Sequence, residues 1–346
     1  MFGDDVYLDE YEQYEEIYDP HAAGAAMRSR RKANHKPKKS RDEVLSALTD
    51  DLTDVELGFE TTYTPSKYES GWLLQSLYSF YDEGLISDVL ALVKGGKEAS
   101  VYVCRAHPAT GYDLLAAKVY RPRMFRNLRN DAMYRQGREI LVAGGKPAGR
   151  DAGYIERAMR HKTAFGVQAG HTSWLMHEFN AMEQLHAGGG DVPRPIHAAD
   201  NAILMTYHGE LGRPAPTLNS VSLDVEEADR LLRRLLHNVH MLLRRDLVHG
   251  DLSAYNILYW APNGAPGEMT IIDFPQVVNL RGNPKARFVL ERDVERVCDY
   301  FREQGLRPNA RAITDRLWRR YMGEMDPEDL AADLSRVELA LASAGD

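Results

Sequence analysis

Two stretches decide how this chain is read: Val248-His249-Gly250-Asp251-Leu252-Ser253-Ala254-Tyr255-Asn256 and, further on, Ile271-Ile272-Asp273-Phe274-Pro275. Asp251 and Asn256 are five residues apart, and Asp273 lies 17 beyond Asn256. Between them, Ile257–Tyr259 and Met269–Ile272 bracket a Pro-Asn-Gly turn, a pattern that predicts a hairpin. The hairpin would return Asp273 to the neighbourhood of Asp251 and Asn256. A lone Asp in a turn is usually structural. Two carboxylates and an amide oxygen brought to one point are instead the hard oxygen ligands that Mg²⁺ on nucleotide phosphates requires. Phosphoryl transfer needs a carboxylate to orient the acceptor hydroxyl, and an Asn and an Asp to hold the metal.

Upstream, Ala116-Ala117-Lys118-Val119-Tyr120 places one lysine in an apolar strand. A buried ammonium needs a charge partner, and Glu178, on a helix expected over Trp174–Leu185 with Thr172 or Ser173 as cap, is the candidate. Together the pair would hold the α- and β-phosphates. Before that strand, Lys94-Gly95-Gly96-Lys97-Glu98-Ala99-Ser100-Val101-Tyr102 joins two strands and can cover phosphates with backbone N–H groups, Lys97 and Ser100 being its candidate contacts. It has neither a GxGxxG pattern nor the GxxxxGK[ST] of a P-loop.

The coarse reading gives an amphipathic helix over Trp72–Leu85, then short strands at Val89–Val93, Val101–Cys104 and Leu114–Tyr120. Pro195–His197 and Ile203–Met205 complete a small sheet. A long helix opens at Asp224, with Leu231, Leu232, Leu235, Leu236, Val239, Leu242 and Leu243 as its buried stripe and its arginines in water. Three further helices are expected to finish the chain. A strand-rich first half and a helix-rich second half predict an α+β, two-lobed architecture with a cleft between the lobes. The expected boundaries are a charged, disordered tail over 1–60, an N-lobe over 61–208 with a basic insertion at 121–171, and a helical C-lobe over 209–346.

These stretches resemble the RIO family of atypical serine/threonine protein kinases, on the side of its bacterial branch. The resemblance runs over roughly 70–303. It is carried by Gly-Lys-Glu-Ala-Ser-Val-Tyr (96–102), Ala-Lys-Val-Tyr (117–120), Trp174 with Glu178-Phe179, Leu-Met-Thr-Tyr-His-Gly (204–209), Ala-Pro-Thr-Leu (215–218), His-Gly-Asp-Leu-Ser-Ala-Tyr-Asn (249–256), Ile-Asp-Phe-Pro-Gln (272–276) and Arg292-Asp293-Val294. It implies a Mg²⁺- (or Mn²⁺-) and ATP-dependent, autophosphorylating kinase or ATPase of kinase-like fold. In it Lys118 contacts ATP phosphates, Asp251 is the catalytic aspartate, and Asn256 and Asp273 bind the metal. The backbone of Thr206 and His208 would meet adenine, with Met205 guarding the back pocket. The position of Asp273 can also carry an aspartyl-phosphate in such proteins. Two departures from typical protein kinases stand out. Asp-Phe-Pro replaces Asp-Phe-Gly, and Pro275 removes the glycine's freedom. Only 73 residues follow Asp273, with no Ala-Pro-Glu motif, so the activation loop and peptide-binding subdomain are expected to be missing. The alternative is a small-molecule phosphotransferase of the aminoglycoside or choline kinase kind, which usually places a large helical domain after this site.

Composition frames these readings. The chain has 346 residues, 44% of them hydrophobic, which excludes a fully disordered chain and a small disulfide scaffold. No apolar run approaches a membrane span, and the Met-Phe-Gly-Asp-Asp-Val-Tyr start shows no secretory signal. Cys104 and Cys298 form no metal or redox spacing, so a reducing, cytoplasmic setting is the expectation. The net charge of −8 hides blocks: 15 acids against eight bases in the first 60 residues, and 11 bases against four acids over 121–171. Tyr7, Tyr11, Tyr14 and Tyr18 would share one helical face if the tail folded. The basic insertion is read as a mobile loop and a candidate surface for RNA or a ribosomal partner. His237 and His240 sit one turn apart but lack a third ligand, and His171, His177 and His186 lack a convergent partner.

Overall fold

The computed structural model describes residues 59, 61–96, 98–120, 137–161 and 163–323. By contacts the chain divides into Met1–Val55 and Glu56–Asp346. The four-tyrosine pattern and most of the expected tail, Lys97, the first part of the basic insertion and the last expected helix all lie outside the described residues.

The N-lobe is built from α1 (Lys67–Asp82), β1 (Ile86–Gly95), β2 (Ala99–Ala106), β3 (Leu114–Tyr120), α2 (Ala152–Arg160), α3 (Ala164–Ala187), β4 (Pro195–Ala198) and β5 (Ala202–Thr206). Its five strands form one sheet in the order β1-β2-β3-β5-β4, every neighbouring pair antiparallel. β3 is buried on both faces, and side-chain alternation along it divides the lobe. Leu115, Ala117 and Val119 pack with Leu73, Leu77 and Phe80 of α1 in one core. Ala116 and Tyr120 point the other way, into a core shared with Trp174 and Leu175 of α3. Lys118 shares their face of the strand and therefore points towards α3.

α3 departs from the sequence reading. It starts at Ala164, with the Thr163 hydroxyl accepting from Gly166 N–H, and not near Trp174. Residues 152–160, read as loop, are helical too. Weak apolar periodicity and the glycines at 144, 145, 149 and 153 hide both helices from the sequence. A Cβ on Gly166 would overlap the backbone of Ala158 and Met159, so here glycine permits two helices to approach closely. The C-terminal part of the supposed mobile insertion is thus a packed helical pair, with Ile155 and Ala158 buried.

The C-lobe contains the small hairpin β6 (Gly209–Glu210) and β7 (Arg213–Pro214), then α4 (Val225–Leu243), β8 (Leu247–Val248), β9 (Ile257–Trp260), β10 (Glu268–Ile271), β11 (Val278–Asn279), α5 (Ala286–Glu303) and α6 (Ala310–Met322). Asp224 caps α4 through Glu227 N–H, and the leucine stripe is buried except for the half-buried Leu236. β9 pairs antiparallel with β10, and β8 with β11. The architecture is α+β and two-lobed. Only residues 272–285 separate β10 from α5, which leaves no room for a long activation loop there.

Candidate active site

Lys118 anchors the site. Its ammonium bonds Glu178 Oε1 of α3 at 2.7 Å and Asp273 Oδ1, beyond β10, at 2.5 Å. The Tyr120 hydroxyl donates to the other Glu178 oxygen. Glu178 is 1% exposed, so its charge is held wholly by protein groups. Burial works to lower the Lys118 pKa, but Asp273 and then Glu178 outweigh it and hold the ammonium well above its ordinary range. Burial likewise acts to raise Asp273, and is overcome by Lys118, by their hydrogen bond, and by Lys94 and His249, so that this carboxyl sits below its ordinary value. Asp273 is therefore ionised, and its side chain keeps 39% exposure towards solvent. Its backbone lies at φ 71°, in the left-handed region that non-glycine residues rarely adopt.

Asp251 and Asn256 form the second group. Asn256 Nδ2 donates to the Asp251 backbone carbonyl at 2.9 Å and to its Oδ2 at 3.0 Å. Arg296 Nη1 of α5 donates to Asp251 Oδ1 at 2.6 Å. The two groups are tied together by Ile272 N–H donating to the Asn256 carbonyl at 2.9 Å and by His249 Nε2 against the Ile272 carbonyl at 3.2 Å. The loop itself hangs on Asp293, whose carboxylate accepts from Gly250 N–H at 2.8 Å and Leu252 N–H at 3.3 Å. Gly250 is required there. Its φ is 87°, and a Cβ would collide with the Gln276 backbone.

Of the sequence-predicted residues, Lys118, Glu178 and Asp273 meet directly, and Asp251 and Asn256 meet beside them. Met205 is buried at the end of β5 opposite Ala116. Thr206 has its N–H and hydroxyl engaged with Arg194. The His208 carbonyl accepts from Ala215 N–H. Ser100 does not join the cluster. It pairs with Val119, whereas Lys118 pairs with Val101, so the register puts Ser100 on the α1 face of the sheet and Lys118 on the opposite one. Lys94, paired with Val101, shares the Lys118 face instead, and its charge reaches Asp273. Arg296, Asp293 and Arg138 were not anticipated as site residues. Among the described residues no group of three or more His, Cys, Asp or Glu side chains is placed to hold a metal.

The donor set fits ATP with Mg²⁺. Asn256 turns its NH₂ to Asp251, which leaves Oδ1 as an oxygen ligand, and Asp273 adds a carboxylate oxygen. Ser253 Oγ and His208 Nε2 are buried without a hydrogen-bond partner.

Two buried groups near the loop titrate in opposite senses. Burial pushes the His249 pKa down from 6.5 to about 4, so the unfolded chain takes up this proton first and stability falls as pH drops from about 6.5 to 4. Burial pushes Asp293 up from 3.8 to about 6, against Arg292 and Arg296. The folded chain takes up that proton first, and stability rises as pH drops through the same window. Each effect is on the order of 3 kcal/mol, and in the wild type they largely cancel. Asp293→Asn removes the opposing group, so its denaturant midpoint should drop more steeply between pH 6.5 and 4 than that of the wild type. Parallel pH curves for the two proteins would rule this out.

Comparison with known proteins agrees with the site. The family profile RIO1, described as RIO domain, matches residues 149–313. The RIO-type serine/threonine-protein kinase Rio1 of Haloferax volcanii is 30% identical over 237 residues, covering 66% of this chain and 69% of that protein. The serine/threonine-protein kinase RIO1 of Chaetomium thermophilum is 28% identical over 246 residues, covering 66% of this chain but 42% of the relative, so this chain spans well under half of that longer protein. A crystal structure of the Chaetomium thermophilum Rio2 kinase–ADP/Mg²⁺–phosphoaspartate complex aligns with 19% identity and a TM-score of 0.47, over 86% of this chain and 85% of that one. With the archaeal relative covered over two thirds of its length and the Lys118, Asp251, Asn256 and Asp273 constellation in place, the chain belongs to the RIO family of atypical serine/threonine protein kinases.

Proposed function

We propose that this chain transfers the γ-phosphoryl group of ATP, with Asp251 orienting the acceptor hydroxyl and Lys118 holding the phosphates. Asn256 and Asp273 hold Mg²⁺, which neutralises charge on the phosphates. The observation that carries this reading is the double engagement of Lys118 by Glu178 and Asp273. It fixes a cation and an ionised carboxylate beside the Asp251–Asn256 pair. In transfer to a serine or threonine, the hydroxyl oxygen bonds to the γ-phosphorus as the bridging bond to ADP breaks, and the proton passes to Asp251. Both Asp251 oxygens are already hydrogen-bonded, but an ionised carboxylate has about four lone-pair sites and accepts a further donor. Asp273 offers a second acceptor. It is more exposed than Asp251 and ionised, so its second oxygen can attack the γ-phosphorus as the bridging bond to ADP breaks, yielding an acyl phosphate and ADP with no proton released.

The adenine is assigned to the β5 exit, with Met205 behind it and the backbone of Thr206 and His208 along its edge. Ser100 has no part in this proposal. The lobes are assigned to 61–208 and 209–346. Membership of the bacterial branch rests on the sequence motifs alone, since the relatives found are archaeal and eukaryotic. Among the described residues no helix is long and apolar enough to cross a membrane, and the free, buried Cys104 and Cys298 favour a cytoplasmic setting. An RNA or ribosomal partner is assigned to the basic stretch 121–171, where Tyr154 and Phe165 lie exposed with ring centroids 5.7 Å apart beside the exposed Arg150, Arg157 and Arg160.

Mg²⁺-dependent ATP turnover and autophosphorylation of the wild type, Asp251→Ala and Asp273→Ala test the catalytic reading. Both variants should lose turnover, and equal rates in all three proteins would sink it. Hydroxylamine-labile phosphate marks an aspartyl product, acid-stable phosphate a seryl one. Binding of a mixed-sequence single-stranded RNA, measured at 50 and 200 mM salt as an arm of the same study, should weaken steeply with salt. Salt-insensitive binding would reject the basic surface.

A further inference from the structure

Residues 138–141 run between two parts of the site that are far apart in sequence. Arg138 Nη2 donates to the Pro275 carbonyl at 3.0 Å and also to the Val277 carbonyl. One residue on, the Glu139 carbonyl accepts from His177 Nε2 at 2.8 Å, and Leu141 N–H donates to Ser173 Oγ at 3.0 Å. Ser173 and His177 belong to α3, the helix that carries Glu178, while Pro275 and Val277 follow Asp273 by two and four residues. The strap therefore fastens the Glu178 helix to the Asp-Phe-Pro segment. Its fit is close at both ends. Leu141 is buried in the large core, and a Cβ on Gly137 would collide with the Gly282 backbone.

We propose that Arg138 is a positioning residue for Asp273, holding the carboxylate in ligating geometry through the two backbone carbonyls that follow it. The proposal rests on the reading of Asp273 as a metal-binding carboxylate. Asp273 occupies a left-handed backbone conformation, which persists only where its surroundings over-determine it. Lys118 fixes the side chain, and Phe274, fully buried against His249, fixes the next residue. Neither constrains the chain beyond Phe274. Pro275 and Val277 are themselves buried, so their carbonyls need protein donors, and Arg138 supplies both with charge-assisted bonds. One guanidinium thus closes the segment that Lys118 holds at Asp273. His177, pushed down to about 4 by burial, is neutral at pH 7. Because the Glu139 carbonyl can only accept, its Nε2 carries the proton and the strap–α3 bond is maintained.

Groups that orient a metal ligand from outside typically change metal affinity by about 10–100-fold when removed. Mn²⁺ affinity in the presence of ADP, read by electron paramagnetic resonance, should therefore fall by about tenfold in Arg138→Ala. Metal-free ADP affinity should hold within about twofold. Arg138→Lys, which keeps one charged donor, should recover most of the Mn²⁺ affinity, and turnover should show a raised Mg²⁺ requirement with little change in the KM for ATP. Wild-type Mn²⁺ affinity in Arg138→Ala overturns the proposal. So does a loss of affinity in proportion to a lowered Tm that Arg138→Lys does not recover, since that pattern marks a structural role only. If Arg138→Ala does not fold, Arg138→Lys and Arg138→Gln carry the comparison, and equal affinity in those two overturns it. Asp273→Ala separates the underlying reading: if its Mn²⁺ affinity matches the wild type, Asp273 is no ligand and the reading beneath the proposal fails first.

Discussion

Asp251→Asn should lower turnover by about 10³-fold while leaving the protein folded and able to bind nucleotide. The magnitude is that of a positioned acid–base group. The selectivity follows from the contacts. Asn keeps an oxygen for Arg296, and Asn256 keeps its bond to the backbone carbonyl of residue 251 although its bond to the side chain is lost. The loop therefore stays tied at both points, but the charge that orients and receives the acceptor proton is gone. Asp251→Ala is different. Arg296, 4% exposed, pairs with Asp251 at 2.6 Å, and removing one partner of such a buried pair costs about 3–5 kcal/mol. The two variants should therefore be similarly inactive but unequally stable in denaturant titrations. Turnover of Asp251→Asn within tenfold of the wild type would exclude Asp251 as the acceptor-orienting group. Equal stability of the Asn and Ala variants would show that the guanidinium is carried by its other contacts.

The part of this site that the sequence makes legible is the part built from local chain. Asp251 and Asn256 share one loop, and a hairpin that reads plainly as a hairpin returns Asp273 to them. Lys118 stands out because it is the only charge in the β3 strand. Arg296 carries no comparable signal, and Asp293 enters only within the family-like run Arg292-Asp293-Val294, which does not say what it binds. In a helix rich in charged residues, an arginine buried under the catalytic loop has the same sequence appearance as its solvated neighbours. The bonds that distinguish it span more than forty residues. Ser100 failed for a related reason. Residues 99–106 are largely apolar on both faces of the strand, so no alternation reveals which face Ser100 shares, and only the β2–β3 register decides it. The start of α3 is hidden by the weak apolar periodicity before Trp174, and the use of Gly166 and Gly170 as a contact with α2 is a tertiary fact.

Lys118→Met should be destabilising by about 3–5 kcal/mol and lower turnover by at least about 10²-fold. The stability cost arises at Glu178. Deprived of the ammonium 2.7 Å away, that carboxylate is left buried beside the Tyr120 hydroxyl that donates to its other oxygen. Burial already raises its pKa against the pull of Lys118, so without the lysine it takes up a proton or forces the site open. Neutralising both partners separates these roles. Lys118→Met with Glu178→Gln buries no net charge and keeps a hydrogen-bonding group for Tyr120, so it should recover most of the lost stability, since replacing a buried pair entirely is far less costly than breaking it. It should recover none of the activity, because the cation facing the phosphates and Asp273 is still missing. A double variant as unstable as Lys118→Met would place the cost in lost packing around the lysine stem. A double variant that regained turnover would mean that the phosphates are held by another cation, such as Lys94 on this face of the sheet.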